Sequence, residues 1–127
     1  MKIILDTHTF LWFINDSPEL SNSAAELIES DVDLWISIAS LWEISIKVNL
    51  NKLDLPDDYE KFIPHQIPIN NIEILPANLQ HLIVLTKLPL HHRDPFDRLL
   101  IAQAITEAVP IVSIDKKFDL YEVNRQW

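Results

Sequence analysis

The hydrophobic pattern of this chain changes period repeatedly. KIILD (residues 2–6) is a short apolar run closed by an acid, which predicts a buried strand with Asp6 at its carboxyl end. THTFLWFIN follows as a short helix. Ser17 and Pro18 have the chemistry of an N-cap and first turn. SNSAAELIES then reads as a helix, with Ser23 and Glu26 spaced as a capping box. DLWISI (33–38) predicts a second strand. ASLWEISIKVNL predicts a helix with Leu41, Ile44 and Val48 on one side. A loop then leads to a helix opening near Asp57, and NIEILP predicts a third strand. ANLQHLIVLTKLP reads as a helix stopped by Pro89. DPFDRLLIAQAITEA reads as the longest helix, broken by Pro110. PIVSID predicts a strand ending in Asp115, DKKFDLY a last short helix, and VNRQW an edge strand.

Strands alternating with helices predict an α/β fold: three layers, with a mostly parallel sheet covered on both faces. Residues 1–127 carry no repeat, low-complexity segment or linker, which predicts a single domain. In such sheets ligands bind beyond the carboxyl ends of the strands. Asp6 and Asp115 are expected there.

Composition then removes whole classes of function. The chain has no glycine, so neither a P-loop nor a dinucleotide fingerprint exists, and a serine-hydrolase elbow is excluded too. Turns have to use Pro, Asn, Asp and Ser. The chain has no cysteine, which excludes disulfides and thiolate ligands and suits the cytoplasm. No apolar run reaches the roughly 18 residues needed to cross a membrane. The N-terminal run is broken by Asp6 and His8, so it does not read as a signal peptide. A formal net charge of −9 speaks against a basic nucleic-acid footprint. Carboxylates gathered to hold a divalent metal account for part of that excess.

Four acids stand where strand ends meet helix starts: Asp6, Glu43, Asp97 and Asp115. Four carboxylates in one pocket repel unless protonated or bound to cations. Oxygen ligands without cysteine favour Mg²⁺ or Mn²⁺, and such ions can clamp a phosphodiester. Each acid also has a plainer reading. Asp6 and Asp115 suit helix N-caps. Ser40 to Glu43 fits a capping box and Glu43 to Lys47 an i, i+4 pair, so the pattern alone leans towards structure for Glu43. Asp94 before Pro95 is a natural N-cap, which puts Asp97 at the third helical position, where an acid also suits the macrodipole. Thr7 follows Asp6, and Ser113 precedes Asp115 by two, on the same side of a strand. Either hydroxyl suits a supporting role at a ligand or an ordinary local hydrogen bond.

The histidines form no zinc pattern: His91 and His92 are adjacent, and His8, His65 and His81 are scattered. Solvated or locally bonded histidine is the expectation for each, with His8, beside Asp6, set apart. Phe10, Trp12 and Phe13 suit a groove for a partner helix, or simply the core.

Taken together, ILDTHTFLW, SIASLWEISIK, HHRDPFDRLLIAQA and SIDKKFDLY resemble, in this order and spacing, the PIN-domain toxin ribonucleases of VapBC-type toxin–antitoxin pairs. The resemblance spans nearly the whole chain. It implies a Mg²⁺- or Mn²⁺-dependent endoribonuclease, an antitoxin that blocks the site, and a homodimer. Matched residue by residue, it makes Asp6, Glu43, Asp97 and Asp115 the family's four acids, which reverses the structural reading of Glu43. Asp6 and Asp97 become the principal ligands. Asp94 is taken as a helix cap that holds Arg98 or a water beside the metal. Lys47, Arg93, Arg98 and Lys116 become candidates for the RNA backbone. Two other folds that open on a strand and an aspartate fit less well. A haloacid-dehalogenase-type phosphatase needs a second acid where His8 stands, and a receiver domain needs one where Pro76 follows NIEIL. The rival from another class is a catalytically silent module that keeps the fold and binds antitoxin or RNA without turnover.

Overall fold

The computed structural model describes residues Met1–Trp127. Five strands form one parallel sheet: β1 (Lys2–Leu5), β2 (Asp33–Ser37), β3 (Ile72–Leu75), β4 (Ile111–Val112) and β5 (Arg125–Gln126). Six α-helices connect them: α1 (Thr7–Ile14), α2 (Asn22–Glu29), α3 (Ile38–Asn49), α4 (Tyr59–Ile69), α5 (Leu79–Leu85) and α6 (Pro95–Glu107). A 3-10 turn (Lys116–Leu120) precedes β5.

The strand order is β3-β2-β1-β4-β5. The chain runs outward from β1 to β3, then returns through α5 and α6 to the other side of β1. β1 is therefore the point where the winding reverses. Its carboxyl end and that of β4 flank the crevice in which open parallel sheets bind ligands.

Alternation along the strands separates two cores. Ile3, Leu5, Leu34, Ile36, Ile72 and Val112 face Phe10, Ile28, Ile44 and Ile63 from α1 to α4. Ile4, Leu75 and Ile111 face the opposite way, onto Leu100, Ile101 and Ala104 of α6 with Phe118 and Tyr121. The expected three-layer α/β architecture follows. Phe10 lies in the first core and Phe13 packs against it, while Trp12 stacks on His8 and Trp127. No helix is long and apolar enough to cross a membrane.

The missing glycines are replaced as composition demands. Asp16, Asn51 and Asn71 have φ of 52°, 56° and 53°, each one residue past the C-cap of α1, α3 or α4. Asn and Asp tolerate this left-handed region because their short polar side chains bond locally. Ala108, the C-cap of α6, holds φ 54° without that help.

Several element starts depart from the sequence reading. Ser17 and Pro18 open a turn rather than a helix: the Ser17 hydroxyl accepts from the Glu19 amide. The N-cap of α2 is Ser21, not Ser23, with its hydroxyl accepting from the Ala24 amide. α3 likewise begins under Ser37 rather than Ser40, so the Ser40–Glu43 capping box does not exist. α5 stops at Leu85, four residues before Pro89. β4 stops at Val112. Ser113 and Asp115 are therefore not strand neighbours, and the Ser113 hydroxyl accepts from the Asp115 amide in a tight turn. The candidate helices overlapped in their polar signals, and packing selected among serines of equal capping strength.

Candidate metal centre

Asp6 is the N-cap of α1. Its Oδ1 accepts from the Thr9 amide at 2.8 Å, and its own amide donates to the Val112 carbonyl at 3.1 Å. The Thr9 hydroxyl donates to the same carbonyl at 3.0 Å. Asp6 is thus pinned between β1 and β4, at the reversal point of the sheet. Capping and site roles coincide, since the carboxylate caps the helix and also lines the cavity. Burial pushes the Asp6 carboxyl above its ordinary value, against hydrogen bonds from Ser113 and Thr9.

Glu43 reaches the same crevice from the second turn of α3 and is buried. Thr7 Oγ1 lies 2.9 Å from both Ser40 Oγ and Glu43 Oε1, and donates to the carboxylate. Lys47 Nζ stands 2.8 Å from Glu43 Oε2. The i, i+4 pair expected from the pattern therefore exists and sits inside the site.

Asp94 caps α6: its Oδ1 accepts from the amides of Phe96 at 2.8 Å and Asp97 at 3.4 Å. Pro95 supplies the first helical position, and Asp97 projects from that first turn. Burial and the negative charges of Asp94, Glu43 and Asp6 push the Asp97 carboxyl up to about 7, against the opposing pull of His92.

Asp115 caps the 3-10 turn, with Oδ1 accepting from the Lys117 amide at 3.0 Å. Its Oδ2 lies 2.8 Å from His92 Nε2, and His92 Nδ1 lies 3.0 Å from the Tyr121 hydroxyl. Burial acts to raise the Asp115 carboxyl. The hydrogen bonds from His92 and Lys117, with their charges, outweigh it and hold the carboxyl below its ordinary value.

Asp6, Glu43, Asp97 and Asp115 line one cavity of about 330 Å³, together with Thr7, His8, Lys47, Asp94 and Ile114. Ser113 is buried against Asp6. Three of the expected RNA contacts stand outside the cavity. Arg98 is turned back onto its own backbone, donating to the carbonyls of Pro89, His92 and Leu88 at 3.0, 3.4 and 3.5 Å. Lys116 is exposed and outside the cavity wall. Arg93 lines a neighbouring concavity.

Sequence pattern alone does not single out His92. It is buried, and one ligating atom from each of His92, Asp97 and Asp115 falls within 4.8 Å of the others. Its adjacency to RDPFD was the only available signal. Nothing in a pair of consecutive histidines tells which one turns inward.

The donors fit a hard divalent cation: several carboxylate oxygens, at most one imidazole and no thiolate. The raised Asp97 carboxyl supports the fit. These acids disfavour one another's charge, and a divalent cation would relieve that. Asp6, Glu43, Asp97 and Asp115 could hold it, with His92 beside them.

Comparison with known proteins identifies the family. The family model described as PIN domain matches residues 3–124. The chain is similar to one in the crystal structure of VapBC2 from Rickettsia felis bound to a promoter DNA fragment. That likeness has 18% identity and a TM-score of 0.75, over 99% of this chain and 98% of that one. It is also similar to a chain of VapBC from Salmonella typhimurium bound to DNA, at 20% identity and TM-score 0.69, over 99% and 97%. A chain of FitAcB from Neisseria gonorrhoeae gives 17% and 0.66, over 97% and 95%. No curated protein sequence matches. An acid-lined cavity at the reversal point of a five-stranded parallel sheet, within a family match that spans nearly all residues, leads to one assignment: the chain belongs to the PIN domain family.

Proposed function

We propose that this chain is a VapC-type toxin, a Mg²⁺- or Mn²⁺-dependent endoribonuclease neutralised by a cognate antitoxin. The observation that carries the reading is the meeting of Asp6, Glu43, Asp97 and Asp115 around one cavity in a PIN fold. Solved proteins of similar fold include VapBC and FitAB complexes, which supports a protein partner. An exposed apolar stripe on α5, Leu79, Leu82 and Ile83, supports a second copy of the chain as a homodimer partner. The place of action is the cytoplasm, consistent with the absence of cysteine.

In this reading Asp6 and Asp97 are the principal ligands, and Glu43 and Asp115 complete the shell directly or through water. A cation held by these acids would supply Lewis-acid activation of water and charge stabilisation for hydrolysis of an RNA phosphodiester. The chain's own work is to hold the acids still. Thr7 and Lys47 restrain both oxygens of Glu43. His92 and the Lys117 amide restrain both oxygens of Asp115. Asp94 shapes the first turn under Asp97. Arg98 braces the loop that carries His92 rather than gripping RNA. Lys47, Arg93 and Lys116 are left as contacts for the substrate backbone.

The test is cleavage of structured RNA by the purified chain with Mg²⁺ or Mn²⁺. EDTA and Asp97→Asn should each abolish it, with unchanged circular dichroism for the variant. Full activity in EDTA would sink the metal mechanism. Tight antitoxin binding without cleavage of any RNA would favour the silent interaction module.

A further inference from the structure

A second concavity of about 400 Å³ adjoins the acidic one and shares Glu43, Lys47 and Asp94 with it. Its remaining walls are Ile46, Pro95 and Phe96, with the exposed Arg93. Trp42 immediately precedes Glu43 on α3 and is 60% exposed. Its ring centroid lies 5.1 Å from that of Phe96, at an interplanar angle of 82°. The pair lies outside both hydrophobic cores: Phe96 lines the concavity, and Trp42 packs against Phe96.

Two rings at right angles form a corner. A planar group laid flat on one presents its edge to the other, and both arrangements are favourable for aromatics. We propose that this corner is a subsite for one unpaired RNA base next to the phosphate that is cut, with Arg93 holding the adjoining backbone phosphate. The inference rests on the ribonuclease reading above. Charge argues for a nucleotide over an apolar peptide. The site joins an aromatic face to a free cation in a chain that is otherwise strongly acidic. It also argues for an unpaired base, because bases inside an A-form helix cannot be splayed onto a side chain. Stacking tolerates every base, so the subsite selects for accessibility and grades bases by ring size instead of reading a sequence. The concavity lined by Phe96 shares Glu43, Lys47 and Asp94 with the acidic cavity, which puts the proposed base beside the phosphate held there.

The test takes a short single-stranded RNA that the full chain cuts with Mn²⁺, and resynthesises it with an abasic ribose on one or the other side of the cut. Trp42→Ala should lower kcat/KM about 5- to 100-fold, the loss carried by KM. Trp42→Phe should recover most of it. On the RNA abasic at the correct side, Trp42→Ala and the parent chain should perform alike. Arg93→Gln should weaken binding and reduce its salt dependence by about one counterion. Unchanged kinetics for Trp42→Ala, or an equal loss on intact and abasic RNA, would overturn the subsite and leave the ribonuclease reading standing. Weakened antitoxin binding with unchanged RNA kinetics would give the corner to a protein partner and overturn it as well. A parent chain that cuts no RNA with either metal would overturn both.

Discussion

His92 Nε2 stands 2.8 Å from Asp115 Oδ2 while His92 Nδ1 stands 3.0 Å from the Tyr121 hydroxyl. Nε2–H donates to the carboxylate, and Nδ1 and the phenol share the second hydrogen bond. The loop before α6 is thereby tied to the turn after β4. Asp115 lies three residues beyond the end of its strand and depends on this tie for its position. Removing it should weaken Mn²⁺ binding about 10- to 100-fold, as loss of such supporting hydrogen bonds generally does. His92→Ala titrated with Mn²⁺ by electron paramagnetic resonance checks this. His92→Gln, which keeps an N–H donor, should recover part of the affinity, and equal affinity in all three proteins would refute the tie.

Asp97 makes the metal-free protein more stable in mild acid. Its carboxyl titrates at about 7 in the fold against 3.8 for the unreacted reference. A raised value means that the native state holds the proton more tightly, so its contribution is complete below about 4 and is lost as pH rises through 7. The full difference corresponds to about 4 kcal/mol. Asp97 is only partly buried, and solvent screening reduces the effect to about 1–2 kcal/mol. Asp97→Asn should therefore raise the metal-free Tm at pH 8 by about 3–6 °C, by less at pH 5, and hardly at all near pH 4. The lowered value at Asp115 acts only below about pH 4 and does not disturb this window.

Divalent metal should stabilise the chain with the opposite pH trend. Protons and cation compete for Asp97, so the gain in Tm from Mn²⁺ should be larger at pH 8 than at pH 5.5. At a hundredfold excess over Kd the gain is about 2.7 kcal/mol. Differential scanning fluorimetry with and without EDTA measures it. A gain that is the same at both pH values would show that Asp97 is not a ligand.

Thr7→Val should cost about 1–3 kcal/mol in urea denaturation. It removes the donor to Glu43 Oε1 and leaves a buried acceptor unpaired. Thr7→Ser keeps the hydroxyl and should restore most of that stability. A Thr7→Val protein as stable as its parent would mean that Lys47 alone suffices to hold Glu43.

Ala108→Gly should stabilise. Ala108 holds φ 54° at the C-cap of α6, where a Cβ costs about 1–2 kcal/mol. The added freedom of glycine in the unfolded chain offsets part of this, leaving about 0.5–1 kcal/mol, or about 2–4 °C in Tm. A lower Tm would indicate that the Ala108 methyl makes packing contacts worth more than the strain.

The element order and the α/β layering were legible because the apolar runs differ in length and period. KIIL and DLWIS are too short for helices, and the α6 segment is too long for a strand. Boundaries were less legible. Ser21 and Ser23, or Ser37 and Ser40, are chemically equivalent caps, and only the burial of the following residues chooses between them. α4 even runs through Pro64 and Pro68, where local preference argues for a break.

The candidate site divides in the same way. Asp6 and Asp97 were legible as acids at a strand end and a helix start. Glu43 needed the family resemblance, because a capping role explained it equally well from the pattern. His92 was not legible, since its partners Asp115 and Tyr121 lie 23 and 29 residues away and no local pattern predicts which adjacent imidazole turns inward. Charge alone suits Arg98 to an RNA contact, whereas the fold turns it onto three carbonyls. The sequence by itself determined the strands, the helices and the residue types able to hold a hard cation, because those depend on local period and side-chain chemistry. Only the tertiary structure decided which of them meet. That depends on β4 returning beside β1, which brings residues a hundred positions apart to one sheet edge and surrounds their charges with a shared, partly dry environment.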